Sequence, residues 1–211
     1  MNPAIKVLII DDHALFRRGV SQIISATPDF EVVGETASGW EGLEKLKALR
    51  PDLVLLDLDM KDMNGWTTLA HIKEYESSTC CIVLTASDAA DDLLKALRTG
   101  ADGYLLKGGV SEDFCAKLKK AMSGVTVLQE SLMEKLVSAA LHLKPSRNEK
   151  EVSLTGRETE ILRCLTLGFH NKTIAHALGI SLSTVKVHTK NLLIKLKLSN
   201  RLEAAAWAYK K

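Results

Sequence analysis

The chain has 211 residues, 46% of them hydrophobic and 26% charged, which allows one large or two small globular domains with real cores. No run approaches the roughly 18 consecutive apolar residues of a membrane span, and the opening MNPAIKVLIIDDH ends its short apolar run in acids rather than in the small residues of a secretory signal. The four cysteines, Cys80, Cys81, Cys115 and Cys164, fit neither a disulfide framework nor zinc spacing; read as buried reduced thiols, they suit a cytoplasmic protein.

The net charge of +2 hides an asymmetry. Residues 1–124 carry 14 Lys and Arg against 19 Asp and Glu, and residues 125–211 carry 14 against 7. An acidic front and a basic rear suggest two domains with different partners. No acidic residue stands between Glu160 and Glu203, where seven Lys or Arg occur.

In chain order, the front part alternates short apolar runs with amphipathic stretches. The runs IKVLII (5–10), FEVVGE (30–35), DLVLLD (52–57), CCIVLT (80–85) and GYLLK (103–107) are near-continuous, as strands covered on both faces are. Helical patterns fall at about 13–26, 39–49, 65–76, 88–98 and 111–123, punctuated by Pro28, Pro51, Asn64-Gly65 and Gly100. Five β-α repeats predict an α/β domain over 1–124, a five-stranded doubly wound parallel sheet. Residues 125–152 read as a linker with a helix at about 130–142. From there the pattern is helical, with Thr155-Gly156-Arg157-Glu158 forming a capping box. Four short helices, at about 155–167, 171–177, 182–197 and 200–208, make a smaller all-α domain over 153–211.

The strand ends carry the chemistry. Side chains there line the ligand crevice of an open parallel sheet. Asp11 and Asp12 follow the first strand, Asp57 ends the third, Thr85 the fourth and Lys107 the fifth. Clustered carboxylates repel unless a cation joins them, and a few hard oxygen donors open to solvent suit Mg²⁺. A lysine and a hydroxyl opposite suit phosphoryl oxygens, so the set matches phosphoryl transfer onto a carboxylate. Taken singly, each has a plainer reading, Asp12 as a helix cap among them.

DDH (11–13), the apolar strand ending in Asp57, Met63-Asn64-Gly65, Thr85-Ala86 and GADGYLLK (100–107) resemble the receiver domain of two-component response regulators, a flavodoxin-like fold. The resemblance implies that Asp57 accepts a phosphoryl group from a sensor histidine kinase. It implies that Asp11, Asp12, Asp57 and the backbone carbonyl of Asp59 hold Mg²⁺. Lys107 would pair with the phosphoryl group, Thr85 would turn inward to meet it, and Tyr104 would change rotamer. Lys61 departs from the proline common in receivers; it either screens the acids or is a solvated loop lysine. Asp57-Leu58-Asp59 also resembles the D-x-D pair of haloacid-dehalogenase-type phosphatases, the rival reading from the enzyme class.

In the third rear helix, a period of about 100° per residue gathers Val185, Thr189, Leu192 and Leu196 on one face. It places Lys186, Val187 and Lys190, with Ser183, away from it. Two lysines and an exposed valine near a helix start fit a DNA major groove, with Lys172 and Arg201 placed to meet phosphates. The alternative is a solvated lysine face, or an output module that binds something other than DNA. The words LTGRE (154–158), GFHNKTIA (168–175), LGIS (178–181), TVKVH (184–188) and KLKLSNR (195–201) resemble the LuxR-type helix-turn-helix domain of the NarL/FixJ family. That resemblance implies base reading by Lys186, Val187 and Lys190, a structural Glu158, and a last helix whose Leu202, Ala205, Ala206 and Tyr209 form a homodimer contact on DNA or pack on their own domain. Gly156, Phe169-His170 and Leu182 depart from the family pattern. His188 has no ligand-spaced partner and reads as a packed or phosphate-contacting residue. VKVHTK, Lys61 and LTASDAADD (84–92) resemble the nitrate/nitrite branch of the family. The expectation is therefore a phosphorylation-controlled transcription regulator that is not an enzyme, acting on anaerobic respiration genes.

Overall fold

The apolar runs become neighbours in one parallel sheet. The strands are β1 (Ile5–Ile10), β2 (Phe30–Thr36), β3 (Leu53–Leu56), β4 (Cys80–Thr85), β5 (Gly103–Leu106) and β6 (Val127–Leu128). They lie in the order β2-β1-β3-β4-β5-β6, with every pairing parallel. The computed structural model describes residues 3–75, 79–110, 113–129, 131–132, 154–169, 171–196, 198, 204–205 and 207–208. They form two compact units, Met1–Met122 with Val127–Gln129, and Ser123–Thr126 with Glu130–Lys211.

Between the strands run α1 (Ala14–Ser25), α2 (Gly39–Leu49), α3 (Gly65–Tyr75), α4 (Ala90–Thr99) and α5 (Phe114–Met122). Alternate strand residues face opposite ways. Val7, Ile9, Leu53, Leu55, Ile82 and Leu84 pack with Val20 and Ile24 of α1 and Phe114 and Leu118 of α5. Leu8, Ile10, Val54, Leu56, Cys81 and Val83, the intervening residues, are also buried, as are Leu46 of α2, Leu69 and Ile72 of α3, and Leu93 and Leu97 of α4. Two covered faces explain why the runs are continuous rather than alternating.

Helix ends follow local chemistry. The Ser38 hydroxyl accepts from the Glu41 N–H to cap α2, and Arg50 closes it in the left-handed conformation. Asn64 Oδ1 accepts from the Trp66 N–H at 2.8 Å at the start of α3. Gly65 is required by close approach: a Cβ there would lie 2.2 Å from the Asp57 carbonyl oxygen and 2.5 Å from Leu58 Cα.

The sixth strand lies in the stretch read from sequence as linker. Two residues are too short to leave a pattern, and the pairing depends on Gly103, whose missing Cβ would sit 2.9 Å from the Val127 carbonyl oxygen. The helix expected at 130–142 lies outside the described residues apart from Ser131 and Leu132. Burial pushes the Cys81 thiol up to about 12, which keeps it protonated and unreactive.

The second unit contains α6 (Gly156–Thr166), α7 (Asn171–Leu178) and α8 (Leu182–Leu196). The predicted capping box is present in full at Thr155 and Glu158. Gly179, at φ 62°, makes the left-handed turn between α7 and α8, with the Ile180 N–H donating to the Ala175 carbonyl at 3.0 Å. Ser181 Oγ then accepts from the Thr184 N–H at 3.1 Å to start α8. Ile161, Leu165, Ile174, Val185, Leu192, Leu196 and Ala204 form the core. Of the last predicted helix, Ala204-Ala205 and Trp207-Ala208 are described, and all four are helical.

Candidate functional site

Strand order reverses between β1 and β3, so a crevice opens where connections leave the sheet in opposite directions. Asp11 follows β1 and Asp57 follows β3. The Asp57 N–H donates to the Ile10 carbonyl at 2.9 Å, which fixes the two strand ends side by side. Both carboxylates are buried, with Asp57 at 1% exposure.

Lys107 reaches into the same crevice from the 3-10 turn that follows β5. Its Nζ lies 2.7 Å from Asp57 Oδ2 and 2.9 Å from Asp11 Oδ2, and the ammonium stands over the Phe16 ring, 5.0 Å from its centre. His13 joins the cluster: its Nδ1 lies 2.9 Å from Asp12 Oδ1 and 3.2 Å from Lys107 Nζ. Sequence reasoning used His13 only as part of the word DDH; its position directly after two acids was the available signal.

The donor set fits a hard divalent ion. Asp11, Asp12 and Asp57 bring three carboxylates against one lysine, and each of these and His13 offers an atom within 4.8 Å of the others. Asp12 Oδ1 is buried and without a hydrogen bond, an acceptor that a cation would satisfy. The Asp59 side chain is exposed and outside this group, and its N–H donates to Asp57 Oδ1 at 3.3 Å. Lys61 is exposed.

Thr85 is fully buried, and its hydroxyl accepts from the Ser87 N–H at 3.2 Å. Tyr104 is also fully buried and donates to the Ser87 carbonyl at 2.9 Å. Burial pushes its phenol up to about 12. Ser87, present in the sequence reading only as part of LTASDAADD, thus ties both predicted switch residues to one loop, and its own hydroxyl donates to Asp92 Oδ2 at 2.5 Å.

A second missed pair lies at the opposite ends of the strands. Lys73 Nζ donates to Asp102 Oδ2 at 2.5 Å and to the Thr79 carbonyl at 2.8 Å, and Asp102 Oδ2 also accepts from the Cys81 N–H at 2.8 Å. Asp102 is the acid of GADGY; it staples α3 to the starts of β4 and β5.

In the second unit, α8 buries Val185, Leu192 and Leu196 and turns Ser183, Val187 and Lys190 to solvent. Val187 is 56% exposed, unusual for an apolar side chain beside a buried one. Lys172 and Lys186 belong to α7 and α8 by their backbones, while their side chains, and residues Arg201, Leu202, Ala206 and Tyr209, lie outside what is described. Ala205 is helical and half-buried. Glu158 is buried, accepting from the Thr155 N–H at 2.8 Å and from Lys195 Nζ at 2.7 Å. The Lys195 ammonium, and then the Thr155 N–H, hold its carboxyl below the usual glutamate range. His188 is half-buried and lines an open cavity of about 420 Å³ with Thr155, Glu158, Asn191, Ile194 and Lys195.

An acid crevice in a parallel α/β unit, followed by a helix-turn-helix unit with an exposed helix face, defines a phosphoryl-receiving DNA-binding regulator. Residues 7–119 match the response regulator receiver domain family, and residues 152–208 match the LuxR family of bacterial regulatory proteins. The chain belongs to the response regulators of the NarL/FixJ type. It is 45% identical over 204 residues to the nitrate/nitrite response regulator protein NarL of Escherichia coli K12, covering 96% of this chain and 94% of that one. It is 38% identical over 204 residues to a nitrate/nitrite response regulator protein homolog of Haemophilus influenzae, covering 97% and 96%. Among solved structures, two RcsB dimers bound to two parallel DNAs give a TM-score of 0.59 at 26% identity, over 98% of each chain. Receiver domains take phosphoryl groups from sensor kinases, and LuxR-type helix-turn-helix domains bind DNA. Among the described residues no helix is long and apolar enough to cross a membrane.

Proposed function

We propose that Asp57 is the phosphoacceptor and that its phosphorylation controls DNA binding by α8. The observation that carries this is the buried Asp57 carboxylate at the switch point of the sheet, with Lys107 at 2.7 Å and two further acids beside it. An Asp57 oxygen forms a bond to phosphorus as the donor's N–P bond breaks, and the departing imidazole keeps the electron pair and takes a proton from solvent. Mg²⁺, when bound to Asp11, Asp12, Asp57 and the Asp59 carbonyl, neutralises charge on the phosphoryl oxygens. Lys107 stands ready to pair with the transferred group. Thr85 gives up its bond to Ser87 to donate to the same group, and Tyr104, tied to the Ser87 carbonyl, moves with that loop.

Residues 1–124, with β6 from the following stretch, act as receiver, the rest of 125–152 as linker and 153–211 as DNA-binding domain. Lys186, Val187 and Lys190, with Ser183, read bases, while Lys172 and Arg201 meet phosphates. The exposed Val187 supports this, since a thymine methyl would cover it. Leu202, Ala205, Ala206 and Tyr209 form a homodimer contact on DNA, a reading supported by the dimers of RcsB. The names of the relatives support a nitrate/nitrite-responsive regulator, and we extend that reading to control of anaerobic respiration genes in the cytoplasm; VKVHTK, Lys61 and LTASDAADD resemble NarP more closely than NarL. The exposed Asp59 side chain speaks against a D-x-D phosphatase.

The test combines chemistry and output. With Mg²⁺ and acetyl phosphate, the wild-type chain gains one hydroxylamine-sensitive phosphoryl group and tighter, salt-dependent binding to operator DNA. Asp57→Asn gains neither. Equal operator affinity for the two proteins under these conditions would overturn control by phosphorylation, and rapid turnover of a phosphate ester would favour the hydrolase.

A further inference from the structure

Arg17 of α1 turns its guanidinium back onto the strand ends, and its side chain is only 17% exposed. Nη1 donates to the Asp11 carbonyl at 2.5 Å, and Nε lies 3.7 Å from Glu35 Oε2. Glu35, on β2, is itself held. Its other carboxylate oxygen accepts from the Ser21 hydroxyl at 2.7 Å, and its carbonyl accepts from Lys45 Nζ at 2.6 Å. The next residue, Arg18, is exposed.

The Asp11 backbone is thereby gripped at both ends, one residue past the end of β1. Its N–H donates to the Thr36 carbonyl at 3.0 Å, and its carbonyl takes the guanidinium. The Asp11 carboxylate then accepts from the His13 N–H at 2.8 Å, so the turn that carries both acids is fixed around this residue. Three carboxylates converge here, and their mutual repulsion pushes the turn away from β3. A guanidinium suits the task of holding it: it keeps its proton, and its planar fork serves two acceptors at once.

We propose that Arg17 is a positioning residue of the phosphoryl-transfer site: through the Asp11 carbonyl it holds Asp11 and Asp12 in place, with Glu35 as its anchor. The proposal rests on the reading of those two acids as the groups that hold Mg²⁺. The sign of the effect separates positioning from charge. A fixed positive charge near a cation site repels the cation, so by charge alone the loss of Arg17 tightens Mg²⁺ binding. By positioning, the same loss weakens it.

The experiment titrates the full chain with Mg²⁺ by calorimetry and follows exchange of the His13 amide in chelator, where no metal contributes. Arg17→Gln is expected to weaken Mg²⁺ binding about tenfold and to speed His13 exchange about tenfold. Arg18→Gln, the same change of charge one residue along, leaves both within about twofold. Glu35→Gln keeps the bond to Asp11 and loosens its anchor, so both quantities move the same way by about threefold; it carries the test where Arg17→Gln does not fold. Mg²⁺ binding as tight as in the wild type or tighter, or unchanged His13 exchange, overturns the proposal and leaves the metal site standing. Wild-type Mg²⁺ binding that is absent, or indifferent to Asp12→Asn, overturns the metal site and the proposal with it.

Discussion

Lys107 spans the end of β4 to reach Asp57, its ammonium 2.7 Å from a carboxylate two strands away. It also touches Asp11, so one lysine holds the two buried acids. A metal bound to the same oxygens contends with it. Lys107→Met is therefore expected to bind Mg²⁺ more tightly, by about tenfold, while losing about 3 kcal/mol of unfolding free energy in chelator because the acids are left uncompensated. Added Mg²⁺ restores most of that loss by mass action. Calorimetric titration and urea unfolding with and without Mg²⁺ check both; unchanged Mg²⁺ affinity would show that the lysine and the ion do not share a site.

Gly65 has no room for a side chain, and the atoms in its way are backbone atoms of Asp57 and Leu58. Backbone at the end of a central strand cannot swing aside as a side chain can. Gly65→Ala is expected to cost about 3 kcal/mol and to displace the loop that carries Asp57. Its phosphorylation rate should fall even where the protein remains folded. A variant as stable and as quickly phosphorylated as the wild type would contradict the packing described.

The Lys73–Asp102 pair predicts an alkaline sensitivity. Burial is the largest single influence and pushes the Lys73 pKa down, but Asp102 beside it, together with Cys81 and Cys80, outweighs it, and the net shift is upward. The folded-state pKa lies above the unfolded value of about 10.4, so the stabilisation is fully present below that value and is lost as pH rises through the folded pKa. Lys73→Met leaves Asp102 buried with only the Cys81 N–H on that oxygen, at a cost of about 3 kcal/mol near neutral pH. Denaturant unfolding across the alkaline range should show the gap between wild type and variant closing at high pH.

The parallel sheet and its strand ends were legible because burial on two faces writes continuous apolar runs, and because a carboxylate closing such a run is conspicuous. The α2 boundaries, read as 39–49 and found there, followed from Ser38 and the residues just before Pro51. What was not legible depends on distance along the chain. Lys73 and Asp102 are 29 residues apart, and Glu158 and Lys195 are 37 apart; neither lysine differs locally from a solvated one. Strand β6 has two residues and is defined by a neighbour rather than by its own pattern. The outward turn of Val187 and Lys190 followed from helical period alone, whereas the clustering of His13 with the acids needed the three-dimensional crevice.

The Glu158–Lys195 pair gives the second unit the opposite pH response. Lys195, followed by the Thr155 N–H, lowers the folded-state pKa of Glu158. The stabilisation is present above the unfolded glutamate value of about 4.3 and is lost as pH falls through the lower folded value. Glu158→Gln keeps an acceptor for the Thr155 N–H but loses the ion pair. Lys195 is 38% exposed, so solvent screens the pair and the expected loss near neutral pH is only about 1 kcal/mol. Hydrogen exchange of α6 amides in the full chain reads this locally. Faster exchange in Glu158→Gln near neutral pH, with the difference shrinking as the solution is acidified below the ordinary glutamate range, is the expected result. A difference that stays constant into strong acid would mean that the carboxylate charge contributes nothing and that Glu158 acts through its cap alone.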